Sequence, residues 1–214
     1  MAGAMSTRFE VLGAQGIVPV VVIDDADRAA ALGSALAEAG LPSAEVTLRT
    51  PQALESIRAL AAIPGFSVGA GTVVDPAQVE KALAAGAQYA VSPGFSAAVS
   101  RECATQGLPL IPGVLTPGEI QAALEAGHRV VKFFPAGASG GPPMLAALSA
   151  PFPGLLFMPT GGIDETSLPD YVRMPCVLAV GGTWIAPRAA IAAGDFGTVT
   201  RNAQRALAIV GEAR

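Results

Sequence analysis

The feature that most constrains the fold of this chain is an alternation of apolar strands and capped helices that repeats eight times. Runs rich in β-branched and aromatic residues are typical of strands. The predicted strands cover residues 17–23, 44–49, 66–71, 88–92, 108–111, 129–135, 155–159 and 176–181. Capping residues followed by proline open helices at 50–51, 75–76 and 116–117, and Ala-Gly pairs end helices at 39–40, 85–86 and 126–127.

Continuous apolar strands that alternate with helices predict a parallel sheet covered by helices. Eight such units in 214 residues predict an α/β fold of the (β/α)8 TIM barrel type, in a single domain over residues 1–214. A short helix is expected over residues 7–14, a short helical stretch over 164–168 and a long closing helix over 187–210. An open doubly wound sheet is the alternative architecture.

The composition narrows the classes of function. Charged residues make up 14% of the chain, against about a quarter in ordinary soluble domains, so we expect sister subunits to cover part of the surface. The net charge is −4 with no basic cluster, which argues against nucleic acid and anionic membranes as partners. No apolar stretch is long enough for a membrane span, and the start lacks a signal-peptide core. A soluble, cytoplasmic protein is therefore expected.

The sequence offers little with which to bind a metal or a nucleotide. One histidine, His128, and two distant cysteines, Cys103 and Cys176, do not make a zinc-type set. Gly69-x-Gly71 lacks the third glycine of a dinucleotide site. We therefore expect no cofactor, reduced thiols, and a surface or helix-capping place for His128.

Lys132 is one of only two lysines, and it lies in the apolar strand 129–135. Burial disfavours the charged form of a lysine and so favours the free amine, a nucleophile that condenses with carbonyl groups. The alternative is a lysine at the end of a strand, with its stem buried and its head in water.

Three polar side chains alternate with apolar ones in the second predicted strand. Glu45, Thr47 and Arg49 share one face because successive side chains of a strand point to opposite sides. If that face lines the barrel interior, Lys132 projects into the same space, toward Glu45. The alternative is a buried Glu–Arg pair with a purely structural role.

Glycine-rich or small polar segments follow several strands, at the end where barrels carry their active sites. These segments are residues 69–72, 92–94, 159–162 and 181–183. The glycine pairs after the seventh and eighth strands match the usual phosphate site of a barrel. Combined with Lys132 and the Glu45–Arg49 strand, they predict a Schiff-base enzyme that acts on a phosphorylated keto compound.

Several strings together resemble one family. EVTLRT (45–50), GAGT (69–72), SPG (92–94), VKFFPA (131–136) and PTGG (159–162) are similar, in this order, to the strings of 2-keto-3-deoxy-6-phosphogluconate (KDPG) aldolases. These are class I aldolases that also act on 4-hydroxy-2-oxoglutarate. The likeness covers nearly the whole chain from residue 17 to the last helix.

The resemblance implies a role for each matching residue. Lys132 would form the Schiff base, and Glu45 would transfer protons through water. Substrate-binding roles fall on Arg49, Thr72, Pro93, Phe134 and Thr160, and phosphate-binding roles on Gly161, Gly162, Gly182 and Thr183. The family often has serine in place of Thr183, and residues 137–139 replace a more polar segment.

The resemblance also implies the reaction and its setting. The substrate would be KDPG, cleaved reversibly to pyruvate and glyceraldehyde 3-phosphate without a cofactor, by a homotrimer, in the Entner–Doudoroff pathway. Two alternatives stay open. One is the same chemistry on 4-hydroxy-2-oxoglutarate or on the 6-phosphogalactonate epimer. The other is a barrel that only binds a phosphorylated sugar acid, with Lys132 as an anion contact.

Overall fold

The computed structural model describes residues 7–214, over which strands and helices alternate. The strands are β1 (Ile17–Val21), β2 (Ser43–Thr47), β3 (Ser67–Gly71), β4 (Tyr89–Val91), β5 (Leu110–Ile111), β6 (Gly113–Val114), β7 (Val130–Phe133), β8 (Leu156–Pro159) and β9 (Val180–Gly182). The helices are α1 (Thr7–Gln15), α2 (Ala29–Glu38), α3 (Ala53–Ala61), α4 (Pro76–Ala84), α5 (Ala97–Gln106), α6 (Pro117–Glu125), α7 (Gly141–Ser149), α8 (Leu168–Val172), α9 (Arg188–Ala193) and α10 (Phe196–Ala213). The predicted α/β class is confirmed.

The strands between residues 7 and 214 pair in parallel throughout and form two sheets. One has six strands in the order β5-β4-β3-β2-β1-β9, and the other has three in the order β6-β7-β8. Two isolated parallel bridges, Phe157 with Val177 and Thr160 with Gly181, link the β8 and β9 segments. The result is a curled parallel sheet rather than one continuous eight-stranded sheet.

Pro112 separates β5, which lies within the predicted fifth strand 108–111, from β6, which was not predicted. A proline has no N–H to donate to a sheet, so the ladder is interrupted at this residue. Its carbonyl instead accepts a 2.8 Å hydrogen bond from the backbone N–H of Lys132. Consequently β5 pairs with β4, while β6 pairs with β7.

Apolar side chains pack in two separate clusters. The larger one lies between the strands and the helices and includes Val46 of β2 and Leu32 of α2. The smaller one combines strand residues such as Val18 and Met158 with Phe9 and Leu12 of α1. The predicted N-terminal helix, confirmed as α1, thus packs against the inward face of the strands.

Helix α1 lies at one end of the strands, so the other end stays open. The hydroxyl of Ser43, the first residue of β2, donates a 2.5 Å hydrogen bond to Gln15 at the end of α1. The helix therefore covers the amino ends of the strands and leaves their carboxyl ends for the predicted site.

The helices differ from the prediction at three places. Helix α7 was not predicted, because its GGPP start looks like a loop, although proline is well tolerated in the first turn of a helix. The closing helix is broken into α9 and α10, because Gly194 adopts a left-handed conformation (φ 71°) that ends α9. The short helical stretch begins at Leu168 rather than at residue 164.

The helix caps were predicted in two cases out of three. Asp75 and Thr116 each form a capping box at the start of α4 and α6. Thr50 is not a cap: its hydroxyl donates a 2.6 Å hydrogen bond to the carbonyl of Ile23, and α3 begins three residues later.

No helix of the described residues is long and apolar enough to cross a membrane.

Both cysteines are free thiols. Cys103 is buried, and Cys176 is partly buried. Burial, with a smaller effect of Glu102, raises the pKa of Cys103 to about 11. The Cys103 thiol therefore stays protonated at neutral pH and behaves as a core residue.

His128 is less exposed than predicted. Its backbone N–H bonds the carbonyl of Ala123 and completes the end of α6, as expected for a capping residue. Its ring, however, is half-buried, with Nε2 2.8 Å from the Ser100 hydroxyl and the edge of the ring against Phe95. Burial lowers the pKa of His128, although a hydrogen bond to the backbone of Leu110 acts in the opposite direction.

This environment predicts a pH-dependent contribution to stability. A lowered pKa means that the fold favours neutral His128, so the stabilisation is present above the unfolded value of 6.5 and is lost as the pH falls through the folded value. We expect the difference in free energy of unfolding between wild type and His128→Gln to shrink between pH 8 and pH 5, measured by urea denaturation. A difference that is constant across this range would contradict the prediction.

Candidate active site

Glu45 and Lys132 form an ion pair inside the curled sheet. The Nζ atom of Lys132 lies 3.1 Å from Oε1 of Glu45, and the residues are 5% and 0% exposed. Charged side chains are almost never this buried unless they are paired. The predicted meeting of these two side chains is therefore confirmed, although 87 residues separate them in the chain.

Strand register places the two side chains on the inward face. Glu45 pairs with Val20 of β1 and Gly69 of β3, and Lys132 pairs with Gly113 of β6 and Met158 of β8. Neighbouring residues in register point to the same side of a parallel sheet. Because Val18 and Met158 belong to the inner cluster, Glu45 and Lys132 emerge from two different sheets into one interior.

The glycines of β3 make room for this arrangement. A side chain at Gly71 would overlap the Glu45 carboxylate, and one at Gly69 would overlap the ring of Tyr89. A glycine inside a strand commonly marks such a close approach. The missing side chains of Gly69 and Gly71 therefore leave space inside the sheet, and the same segment, 69–72, ends the strand.

One of the two carboxylate oxygens of Glu45 accepts no hydrogen bond from the described residues. Oε1 accepts the hydrogen bond from Lys132, whereas the buried Oε2 has no hydrogen-bond partner among the described residues. A buried carboxylate oxygen without a partner is costly. This oxygen is therefore free to accept a proton or a hydrogen bond from a water or from a bound molecule.

Residues just beyond the ends of β7 and β8 lie at the open end near the lysine. The Phe134 ring centre lies 5.3 Å from Nζ of Lys132, a distance typical of a cation–π contact. Thr160 is buried at the end of β8, and its side chain fills the space left by the missing side chain of Gly181. Gly161 lies against the Phe134 ring. These predicted site residues are thus brought together.

Pro93 and Thr72 lie at the carboxyl ends of the neighbouring strands. The Pro93 carbonyl packs where a side chain at Gly113 would be, next to Lys132. Thr72 is the only non-glycine residue with positive φ (59°) in the part of the chain that the structure describes. Such strained conformations cluster at functional sites.

Arg49 lies just beyond the end of β2. The strand ends at Thr47, and the backbone N–H of Arg49 bonds the Thr47 carbonyl at 2.7 Å, so the chain turns there. Arg49 is exposed, while Thr47 is buried with its hydroxyl on the Val21 carbonyl. The predicted strand 44–49 is thus two residues too long, and the place of Arg49 on the face of Glu45 stays a prediction.

The predicted phosphate-binding residues form two loop segments at the same end. Gly161 and Gly162 both have positive φ (93° and 71°), which favours glycine at each position. Gly182 ends β9, and Thr183 beyond it is exposed. The Thr160–Gly181 bridge holds the two segments side by side.

Tyr89 is an interior residue that the sequence prediction missed. It is fully buried, and burial together with the nearby Glu45 raises its pKa well above the usual value of 10.0. Gly69, which lies opposite Tyr89 in β3, was the sequence feature that could have indicated it.

No group of three metal-ligating side chains is found among residues 7–214.

The position of Gly71 allows a direct test of the interior geometry. In Gly71→Ala the added methyl group overlaps the Glu45 carboxylate, so we expect the free energy of unfolding to fall by about 1–3 kcal/mol in urea denaturation. Gly118→Ala is the matched control, since a side chain there meets no atom within 4 Å. A Gly71→Ala protein with wild-type stability and an unchanged Glu45–Lys132 distance in a crystal structure would refute the geometry.

Comparison with known proteins shows which family the chain resembles. The family model for KDPG and KHG aldolase matches residues 9–202. The 2-dehydro-3-deoxy-phosphogluconate aldolase of Treponema pallidum (strain Nichols) is 46% identical over 97% of this chain and 99% of its own length.

Solved structures give the same result. The KDPG aldolase of Zymomonas mobilis ZM4, crystallised with 3-phosphoglycerate, is 39% identical, with a TM-score of 0.90 over 96% of this chain and 97% of that one. The KDPG aldolase of Legionella pneumophila, with pyruvate captured as a covalent carbinolamine, is also 39% identical, with a TM-score of 0.88 over 92% and 96%. This chain therefore belongs to the KDPG and KHG aldolase family.

Proposed function

We propose that this protein is a class I aldolase that reversibly cleaves 2-keto-3-deoxy-6-phosphogluconate to pyruvate and glyceraldehyde 3-phosphate. The observation that carries the proposal is the buried lysine at 3.1 Å from a buried carboxylate, at the open end of the curled sheet. A relative with pyruvate captured as a carbinolamine supports the same covalent chemistry.

Lys132 is the nucleophile in this proposal. Transfer of a proton from Lys132 to Glu45 frees the amine without changing the net charge of the buried pair. The amine adds to the C2 ketone, Glu45 returns the proton it took up, and loss of water gives a protonated imine. The imine accepts the electron pair of the C3–C4 bond when that bond breaks, which leaves an enamine on Lys132.

Glu45 is the proton-transfer group. The proton of the C4 hydroxyl leaves as the C3–C4 bond breaks, and the enamine must later gain a proton at C3. Glu45 lies beside the amine and has one unpartnered oxygen, Oε2, with which to serve both steps through a water. Hydrolysis of the remaining imine releases pyruvate and restores Lys132.

The remaining roles follow the loops at the open end. Arg49 and Thr72, which follow the carboxyl ends of β2 and β3, bind the pyruvyl carboxylate. The planar guanidinium of Arg49 suits a carboxylate better than a lysine would. Pro93 and Phe134 line the pocket beside Lys132, and Thr160 contacts the substrate near the C3–C4 bond.

The phosphate is assigned to the loop segments after β8 and β9. Gly161, Gly162 and Gly182 let the backbone approach an anion closely, and Thr183 adds a hydroxyl. The bound 3-phosphoglycerate of the Zymomonas mobilis relative supports a phosphorylated ligand.

The architecture proposed for this activity is a single-domain (β/α)8 barrel over residues 1–214. Its support is that β5 and β6 are one strand interrupted by Pro112, and that two bridges join β8 to the β9 segment. The homotrimer, the cytoplasmic location and the absence of a cofactor stay predictions.

Lys132→Arg tests the proposal. Arginine keeps the charge but supplies no nucleophilic amine, so kcat should fall roughly 10³-fold or more. Borohydride with pyruvate should trap an adduct on Lys132 in the wild type, located by peptide mass spectrometry, and none in the variant. Lys81→Arg, at the other and exposed lysine, is the matched control and should retain activity and trapping. Turnover by Lys132→Arg, or an adduct on Lys81, would refute the assignment.

A second candidate substrate is 4-hydroxy-2-oxoglutarate, since the description of the matching family model names KHG beside KDPG. The phosphate segment separates the two. Thr183→Val keeps the shape of the side chain but removes the hydroxyl, so KM for KDPG should rise about tenfold. Kinetic parameters for 4-hydroxy-2-oxoglutarate should stay unchanged, because that substrate has no phosphate. Equal effects on both substrates would argue against Thr183 as a phosphate ligand.

A further inference from the structure

Tyr89 lies at the centre of the interior, at the level of Glu45. In register, Glu45 of β2 pairs with Gly69 of β3, and Gly69 pairs with Tyr89 of β4. The three positions therefore face the same interior in one layer, with a gap in the middle where Gly69 has no side chain.

The Tyr89 ring fills this gap. Its carbons occupy the place of the missing Gly69 side chain, and its hydroxyl reaches across β3 to the carbonyl of Ala44, the residue before Glu45, at 3.4 Å. That hydrogen bond is long and therefore weak, so the main contribution of Tyr89 is the position of its rigid ring.

The Tyr89 ring and the Glu45 carboxylate occupy successive layers of the interior. Tyr89 belongs to the inner cluster together with Leu12 of α1 and Val18 of β1. The Glu45 carboxylate lies against Gly71, two residues nearer the open end than Gly69, whose missing side chain the ring replaces. The ring therefore fills the layer on the side of the carboxylate that is away from the open end.

Tyr89 does not act as an acid or a base in this position. Burial and the Glu45 carboxylate both raise its pKa well above 10.0, so the phenol stays neutral at the pH of the reaction. A neutral ring adds no negative charge that would compete with Glu45 for Lys132.

We infer that Tyr89 is a positioning residue for Glu45, and that its ring holds the carboxylate at the height from which it reaches both Lys132 and the substrate. The inference rests on the proposed aldolase function. A smaller, flexible side chain at residue 89 would let the carboxylate move toward the inner cluster or admit water beneath it. Proton transfer would then slow, while the imine with Lys132 would still form.

The experiment separates imine formation from proton transfer in Tyr89→Leu. Borohydride trapping at saturating pyruvate reports the imine, and exchange of the pyruvate methyl protons with deuterated water, followed by NMR, reports proton transfer at C3. We expect the trapped fraction to change less than about twofold, and the exchange rate and kcat for KDPG to fall about tenfold or more with KM nearly constant. Tyr89→Phe keeps the ring and should restore the wild-type rates.

Two further variants exclude a general effect of core disruption. Phe157→Leu removes a similar buried ring from the outer cluster and should lose comparable stability without slowing exchange. Tyr89→Met has nearly the volume of Tyr89→Leu but an unbranched, more adaptable side chain, so it should lose a similar amount of stability and still show slow exchange.

Each result bears on the inference. Wild-type exchange in Tyr89→Leu and Tyr89→Met, a parallel loss of trapping and exchange, or a Tyr89→Phe defect as large as that of Tyr89→Leu would each overturn it. A wild-type protein that neither cleaves KDPG nor traps pyruvate would instead refute the proposed function, on which the inference depends.

Discussion

The buried ion pair between Glu45 and Lys132 is the interaction on which the rest of this structure depends. Removing two charges from water costs several kcal/mol per ion, and only close pairing offsets that cost. The pair is formed by strands of two different sheets, so it also fixes β2 relative to β7. Fold and site are therefore coupled, because an error in the register of either strand would turn one charge out of the interior and leave the other unpaired.

Space inside the curled sheet is as important as charge. Long polar side chains and an aromatic ring enter an interior that small barrels usually fill with branched apolar residues. The missing side chains of Gly69, Gly71 and Gly181 leave room for Tyr89, Glu45 and Thr160 respectively. The glycines of segments 69–72, 92–94, 159–162 and 181–183 look like turn or anion-binding signals in the sequence, yet several of them shape the interior. Within these four segments only Gly161 and Gly162 have positive φ among the glycines.

The sequence predicted the parts of the fold that local patterns control. Alternating strands, the capping boxes at Asp75 and Thr116 and the inward face of Lys132 follow from side-chain periodicity and hydrogen-bonding capacity. The sequence did not predict features that depend on the residue at which a strand or helix ends. Arg49 lies beyond β2 because the chain turns after Thr47, and the turn rests on a backbone hydrogen bond that no residue type in the segment signals. Tyr89 was missed because a tyrosine in an apolar strand looks like ordinary core.

The Glu45–Lys132 pair explains how the interior can satisfy two opposing requirements. The proposed mechanism needs an uncharged amine at Lys132 when the ketone arrives, whereas folding needs a charge that compensates Glu45. A proton that moves from Nζ to the carboxylate across 3.1 Å satisfies both, since the ion pair becomes a hydrogen-bonded neutral pair and no isolated charge is left in the interior. The unpartnered Oε2 then lies free on the far side of the carboxyl group, so the group that releases the amine is also the group best placed to move the next proton.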